Sequence, residues 1–498
     1  MSNYNRYKEH LRKIADLNHA AALLQWDQET YMPKKSAEIR AQQLSTLAGM
    51  AHELSTNKEY GQLLHTLTND ESLSFVEAKN IEHSKKDYDL HLNYSTDFVK
   101  AMSRAVSASF QAWQTAKDKN DFSLFAPSLE KLVELKRSEC QLIGFKDHPY
   151  DALLNQFEPG STVKAVSKVF EDIKPSLNQL INKISKANQL DDDFMFQNYP
   201  QRQQWDFGID LLKQMGYDFE AGRQDLSTHP FTTSFSSTDV RVTTRIDENN
   251  LGEMIWSCIH EGGHGLYEQG LPISEYGLPS GSYLSLGIHE SQSRLWENNI
   301  GRSLDYWNKN YPTLKEYFPA QLANITVDDF YRGMNVVKPS LIRTNADELT
   351  YHFHVMIRYE IEVALIEGSI EVNDLPTIWN EKYKEYLNVD VPNDAEGVLQ
   401  DIHWSHGSFG YFSTYSLGSF YAAQFFAQAQ QEMPQLSNQI NNGDLLPLLQ
   451  WLREKIHTHG KLHSADELCK QITGEKLNAA YFMTYATKKY SALYSIDS

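Results

Sequence analysis

The chain has 498 residues, 41% hydrophobic and 12% aromatic, enough apolar material to fill a large globular core. Sixty-five acidic against 46 basic residues give a net charge of −19, which argues against non-specific binding to nucleic acid or an anionic membrane. Cys140, Cys258 and Cys469 fall in no metal-ligand or redox spacing, no stretch approaches the roughly 20 apolar residues of a membrane span, and MSNYNRYKEHLRKIADLNHA lacks the apolar core of a signal peptide, so a reducing cytoplasm fits.

Up to about Asn120 the sequence is polar-rich, with apolar residues at three- and four-residue spacing, as at Leu11, Ile14, Leu17 and Ala21, and it predicts successive amphipathic helices. WDQETYMP (Trp26 to Pro33) interrupts them with a proline breaker, and Trp26 and Asp27 fit core and cap as well as a cleft wall. From Ser161 to Ser185 the residues Val163, Val166, Phe170, Ile173, Leu177, Leu180 and Ile184 keep the same spacing. Fewer than four heptads and an internal Pro175 favour a packed, kinked core helix over a coiled-coil seam. After Pro230 the texture changes. Val240, Val242, Thr244 and Ile246 alternate with Arg241, Thr243, Arg245 and Asp247, which predicts a strand. A free edge of that strand would hold an extended peptide by main-chain hydrogen bonds; the plainer reading is a half-buried strand with Arg241 and Arg245 in water.

The next stretch, Leu251 to Gly270, carries His260, Glu261 and His264 as H-E-x-x-H. On a helix, residues four apart lie on one face about 5–6 Å apart, so both imidazoles can turn a ring nitrogen to one ion, and zinc suits that geometry. Glu261 points to the same side but too far round to ligate, which leaves its carboxylate to take a proton from water polarised by the ion. Gly262, Gly263 and Gly265 each cost about 1 kcal/mol relative to alanine inside a helix, so a close approach of backbone, substrate or a second helix is expected there. Cys258 faces away from His260 and predicts small apolar packing. The loop ISEYGLPSGSYLSLG follows and should pass near the site.

A catalytic zinc needs a third protein ligand and an open position. The run SLGIHESQSRLWENNIGRS offers Glu290, with Arg294 one turn on and Glu297 on the turn after. His289 points about 100° away from Glu290 and is expected behind the ligands or on the substrate side. His260, His264 and Glu290 are the predicted ligands of one zinc per chain, although cobalt or manganese would also suit them.

If the bond cut were at the C-terminal end of a peptide, a fixed cation for the terminal carboxylate would also be needed. Arg343 in IRTNAD is one candidate, since a guanidinium grips a carboxylate in a two-bond fork; an i, i+4 ion pair with Asp347 on a helix fits the residues equally well. Further on, GVLQDIHWSHGSFGYFSTYSLG packs His403, His406, Tyr411 and Tyr415 among small residues. A histidine or tyrosine there would donate to a developing oxyanion, with core packing as the plain alternative.

HEGGH followed by HESQSRLWEN resembles the carboxypeptidase Taq family of metallocarboxypeptidases. The likeness extends through WDQETYMP, DVRVTT (Asp239 to Thr244), IRTNAD (Ile342 to Asp347) and GVLQDIHW (Gly397 to Trp404), in the family's order over most of the chain. The resemblance implies that Arg343 holds the terminal carboxylate, that Asp239 and Arg241 also bind substrate, and that His403 and Tyr415 steady the tetrahedral intermediate; His406 lies outside the recurring positions. Ser413 and Ser419 stand where the family usually has a proline and an asparagine.

The resemblance further implies a mainly α, two-lobed helical body like angiotensin-converting enzyme and neurolysin-type peptidases, with a small sheet near the zinc helix and a long active-site groove. Residues 1–498 then form a single peptidase domain, with a helical part over about 1–120 covering the groove and a zinc-site core over about 230–420. The implied activity is broad-specificity removal of single amino acids from peptides with a free C-terminus, by a cytoplasmic homodimer with no nucleic-acid or membrane partner. The rivals are an oligoendopeptidase or dipeptidyl carboxypeptidase with the same zinc chemistry, and a non-catalytic zinc-stabilised peptide-binding protein.

Overall fold

Apolar residues at helical spacing fold as helices along most of residues 2–497, which the computed structural model describes. The backbone gathers into two units, each assembled from three separated stretches. The first is Met1–Leu92, Asp191–Met334 and Tyr421–Leu477; the second is Asn93–Leu190, Asn335–Phe420 and Asn478–Ser498. Among the described residues no helix is long and apolar enough to cross a membrane.

The first unit begins with the helices Asn3–Thr30, Ala37–Ser55, Lys58–Thr68 and Phe75–Leu92. Ser2 caps the first of them, accepting from the Asn5 N–H at 3.2 Å. The helix stops after Thr30 because Pro33 disfavours helical geometry in the residue before it. Tyr7, Tyr60, Leu64, Leu67 and Ile81 form a satellite core, completed by Leu278 from the loop after the HEGGH segment. Asn80 ties that loop down, donating to Ser280 Oγ at 3.0 Å and accepting from the Ser280 N–H at 2.8 Å.

Three strands follow. β1 (Gly222–Leu226), β2 (Thr232–Ser236) and β3 (Asp239–Thr244) lie in the order β1-β3-β2, with β1 parallel and β2 antiparallel to β3. The strand predicted from the alternation is therefore central, with both edges paired and neither open to a peptide. The outer edge of β2 has no strand partner among the described residues. Val240 and Val242 point to the buried side. Asp239 and Arg241 share the opposite face and pair with each other through bonds of 2.9 and 3.0 Å. Arg241 does not stand in open water, because its guanidinium lies 4.5 Å over the Trp26 ring and 5.0 Å over Phe235.

Against this sheet packs the HEGGH helix, Leu251–Gly270, capped by Asn250, which accepts from the Gly252 N–H at 3.1 Å. A Cβ on Gly263 would sit 2.7 Å from Ser293 Cα and 2.8 Å from the Gln292 carbonyl oxygen, so this glycine lets the helix Leu286–Arg294 approach backbone to backbone. Of the reasons the sequence offered for glycine, approach of a second helix is the one that applies at Gly263. Cys258 is buried against Gln224 and Met254.

The second unit is organised on the helix Tyr351–Glu367, whose residues are buried on nearly every side. His352, His354, Arg358 and Glu362 are polar and fully buried, and each finds a partner within the unit. His352 Nδ1 lies 2.9 Å from Ser416 Oγ and His354 Nδ1 lies 3.0 Å from the Tyr383 hydroxyl. Arg358 donates to Asp401, and Glu362 accepts from Trp404. The helix Val163–Ile184 also belongs here; Val166, Phe170, Ile173, Leu177, Leu180 and Ile184 are buried along it, with Pro175 inside.

Candidate metal centre and active site

His260 and His264, one turn apart on the HEGGH helix, set their rings at 82° with centroids 4.9 Å apart. Glu290 enters from the helix that Gly263 admits, and the three side chains bring one donor atom each within 4.8 Å of one another. Glu290 Oε2 faces the histidines, 3.4 Å from His264 Nε2 and 3.8 Å from His260 Nε2. Two donors bound at about 2.0–2.1 Å to a tetrahedral ion lie about 3.4 Å apart, so both the donor types and their spacing fit zinc.

Each donor is held from behind. Glu297 Oε2 accepts from His260 Nδ1 at 2.9 Å, which places the proton on Nδ1 and leaves the Nε2 lone pair for an ion. His264 Nδ1 lies 2.5 Å from His289 Nδ1, and His289 Nε2 lies 2.8 Å from Glu268 Oε1. With His289 Nε2 directed at Glu268, its Nδ1 can accept from His264 Nδ1, an arrangement that leaves the His264 Nε2 lone pair for an ion. Arg294 donates to the other oxygen of Glu290 at 2.7 Å and to Glu297 at 3.1 Å. Beyond Arg294 the helix widens into a π-turn over Leu295–Gly301, and Glu297 lies on it.

The protonation states follow from these contacts. Against its burial, Glu290 is held well below the usual carboxylate range by Arg294 and His260. Burial lowers His264 to about 3, keeping it neutral, the state in which an imidazole can take a metal ion. His260 goes the other way: Glu290 and Glu297 overcome its burial and raise its pKa, so a proton and a cation compete for its Nε2. Glu261 is buried beside the three without joining them. Thr232 on β2 donates to its Oε2 at 2.7 Å, and burial raises its carboxyl above the usual range.

The residues predicted to select a chain end lie in the second unit. Residues 342–347 are not α-helical; Arg343–Asn345 form a single tight turn, which removes the predicted i, i+4 pair. Asp347 accepts instead from the Leu349 and Thr350 N–H groups at 2.9 and 3.0 Å, ahead of the helix Tyr351–Glu367. Arg343 pairs with Asp401, Nε and Nη2 both reaching Oδ1 at 2.9 and 2.8 Å, while Nη1 donates to the Tyr351 hydroxyl at 3.1 Å. Arg358 holds the other oxygen, Oδ2, at 2.6 Å. One carboxylate between two buried guanidiniums leaves an excess of positive charge. A guanidinium has five N–H groups; three of Arg343's are engaged here, and one on each Nη has no acceptor among the described residues.

His403 Nε2 lies 3.1 Å from the Tyr415 hydroxyl, and the Arg343 guanidinium lies 4.9 Å over the Tyr415 ring. Burial, with Arg343 and Arg358 close by, lowers the His403 pKa to about 3. Glu362 pins the segment, accepting from Trp404 Nε1 and from the Gly410 N–H at 2.9 Å each, and from the Tyr150 hydroxyl. Ser413 opens the helix Ser413–Glu432, a position that also suits proline. Ser419 Oγ donates back to the Tyr415 carbonyl at 3.2 Å. His406 is exposed.

Sequence reasoning assigns no role to Glu268, Thr232, Asp401 or Arg358, and places Glu297 without saying what it does. Glu297 had a signal, its position two helical turns after Glu290. Thr232 had none, because only the sheet brings β2 to Glu261.

Residues 6–490 match the family model described as Carboxypeptidase Taq (M32) metallopeptidase. The chain belongs to the carboxypeptidase Taq family. Carboxypeptidase 1 of Bacillus subtilis is 40% identical to it over 486 residues, covering 97% of each chain. Thermostable carboxypeptidase 1 of Thermus thermophilus is 38% identical over 505 residues, covering 99% of each. The crystal structure of the M32 carboxypeptidase from Deinococcus radiodurans superposes with a TM-score of 0.97 at 37% identity, covering 100% of both chains. This member of the carboxypeptidase Taq family is thus a metal-dependent carboxypeptidase, a mainly α hydrolase of peptide bonds, and the endopeptidase and non-catalytic readings are not favoured.

Proposed function

We propose that His260, His264 and Glu290 hold one zinc ion and that Glu261, Arg343, His403 and Tyr415 carry hydrolysis of the last peptide bond of peptides with a free C-terminus. The reading rests on the convergence of His260 Nε2, His264 Nε2 and Glu290 Oε2, each fixed from behind, beside a buried glutamate that does not join them. When bound, the ion supplies Lewis acidity toward the scissile carbonyl and the attacking water. Glu261 takes the proton of that water and passes it to the leaving amine. The two remaining N–H groups of Arg343 hold the terminal carboxylate, and Asp239 and Arg241 contribute to the substrate wall as a fixed pair. His403 and Tyr415 steady the carbonyl oxygen as it gains charge.

Cobalt or manganese would meet the same donors. Broad specificity and a homodimer complete the reading through the resemblance, and a cytoplasmic setting suits three buried, unbridged cysteines. Mass spectrometry of an unblocked peptide and its C-terminally amidated twin, each incubated with zinc-loaded protein, tests it. Single-residue losses from the free acid alone are expected; internal cuts in both peptides would remove the carboxylate clamp.

A further inference from the structure

Glu261 has two carboxylate oxygens, and the structure treats them differently. The Thr232 hydroxyl lies 2.7 Å from Glu261 Oε2 and 3.1 Å from the Glu261 carbonyl oxygen. A threonine hydroxyl has one proton, and the shorter, charge-assisted contact takes it. Thr232 is itself fixed: it sits on β2 opposite Val242 of β3, and the Val242 side chain packs toward Gly265 of the HEGGH helix. The hydroxyl thus reaches Glu261 from a strand anchored to the same helix, so its aim does not depend on a mobile loop.

We propose that Thr232 is a positioning residue for catalysis: it holds Glu261 Oε2 and so assigns Oε1 as the oxygen that takes the proton from water and delivers it to the leaving amine. A carboxylate free to rotate about its last bond would present either oxygen at a range of angles, and proton transfer needs one of them aimed within hydrogen-bond reach. Thr232 removes that freedom. Its main chain lies on the strand whose outer edge has no strand partner among the described residues, so the residue that aims the base also belongs to the strand best placed to feel an extended substrate.

The inference rests on Glu261 being the base, and the experiment separates the two. Thr232→Val keeps shape and β-branching and deletes only the hydroxyl; Thr232→Ser restores it. Hydrogen bonds to charged groups are of a size that gives about a tenfold effect, so Thr232→Val is expected to lower kcat about tenfold with KM unchanged. Zinc affinity by chelator competition and the melting temperature should match wild type, and Thr232→Ser should recover most of kcat. A Thr232→Val enzyme with kcat within twofold of wild type overturns the proposal. So does a loss of kcat matched by a loss of zinc affinity or melting temperature, which would mark Thr232 as a structural tie through the Glu261 carbonyl. Glu261→Gln is the control arm: if it stays fully active, the base reading fails first; if it is inactive while Thr232→Val is not, only the positioning role fails.

Discussion

Glu297 accepts the Nδ1–H of His260 at 2.9 Å, and that one bond decides which nitrogen of the imidazole keeps a lone pair available to an ion. Replacing Glu297 with alanine leaves all three donors in place and removes the group that sets the tautomer. The expected result is a loss of about 10- to 100-fold in zinc affinity, measured by chelator competition. An unchanged affinity would mean that His260 is oriented by its packing alone.

Arg343 is built into the protein by Asp401 and Tyr351 before any substrate arrives. On the proposed carboxylate clamp, Arg343→Met should cost about 10- to 100-fold in kcat/KM on free-acid peptides, through KM, the size expected for one charge-assisted contact. Asp401→Asn should act differently. It leaves two buried guanidiniums facing each other without their shared counter-ion, and breaking a buried pair of this kind costs about 3–5 kcal/mol, so a lower melting temperature should accompany the loss of activity. An Arg343→Met enzyme with the wild-type KM for free-acid peptides would show that the carboxylate binds elsewhere.

His403 yields a pH prediction with a definite sign. Its pKa is lowered from 6.5 to about 3 by burial and by Arg343 and Arg358, so between these values the unfolded chain binds a proton that the folded chain does not. Stability therefore rises with pH across this window and is lost as the pH falls from about 6.5 toward 3. His403→Gln should lose less melting temperature than wild type between pH 7 and about 4. The imidazole stays neutral above pH 5, so it should add no limb to the activity profile between about pH 5 and 8. Equal pH slopes for the two proteins would contradict a half-buried, neutral His403.

Gly263→Ala tests the contact that brings Glu290 to the histidines. The new Cβ would lie 2.7 Å from Ser293 Cα, so two helices must part. Overpacking of this kind costs about 1–3 kcal/mol, and here it should also move Glu290 and weaken zinc binding. Alanine is the better helix former, so a more stable variant would mean that the helices separate at little cost.

The sequence by itself determined the donor types and the local geometry that presents them. His260 and His264 had to share a face if the segment was helical, Glu261 had to stand beside them, and any third donor had to come from another segment because a four-residue spacing supplies only two. The helical texture of the chain and the strand around Val240 were legible for the same reason, since periodicity is a local property. Tertiary structure decided everything that depends on which segment lies against which. β3 is central because β1 and β2 both choose it as partner, and pairing across a sheet leaves no trace in the alternation of one strand. Arg343 answers to Asp401 and not to Asp347, because residues 342–347 turn tightly and a distant carboxylate reaches the guanidinium first. The hydrogen bonds that hold His260, His264 and Glu261 come from Glu297, His289 and Thr232, and they exist only once helix, helix and strand have packed.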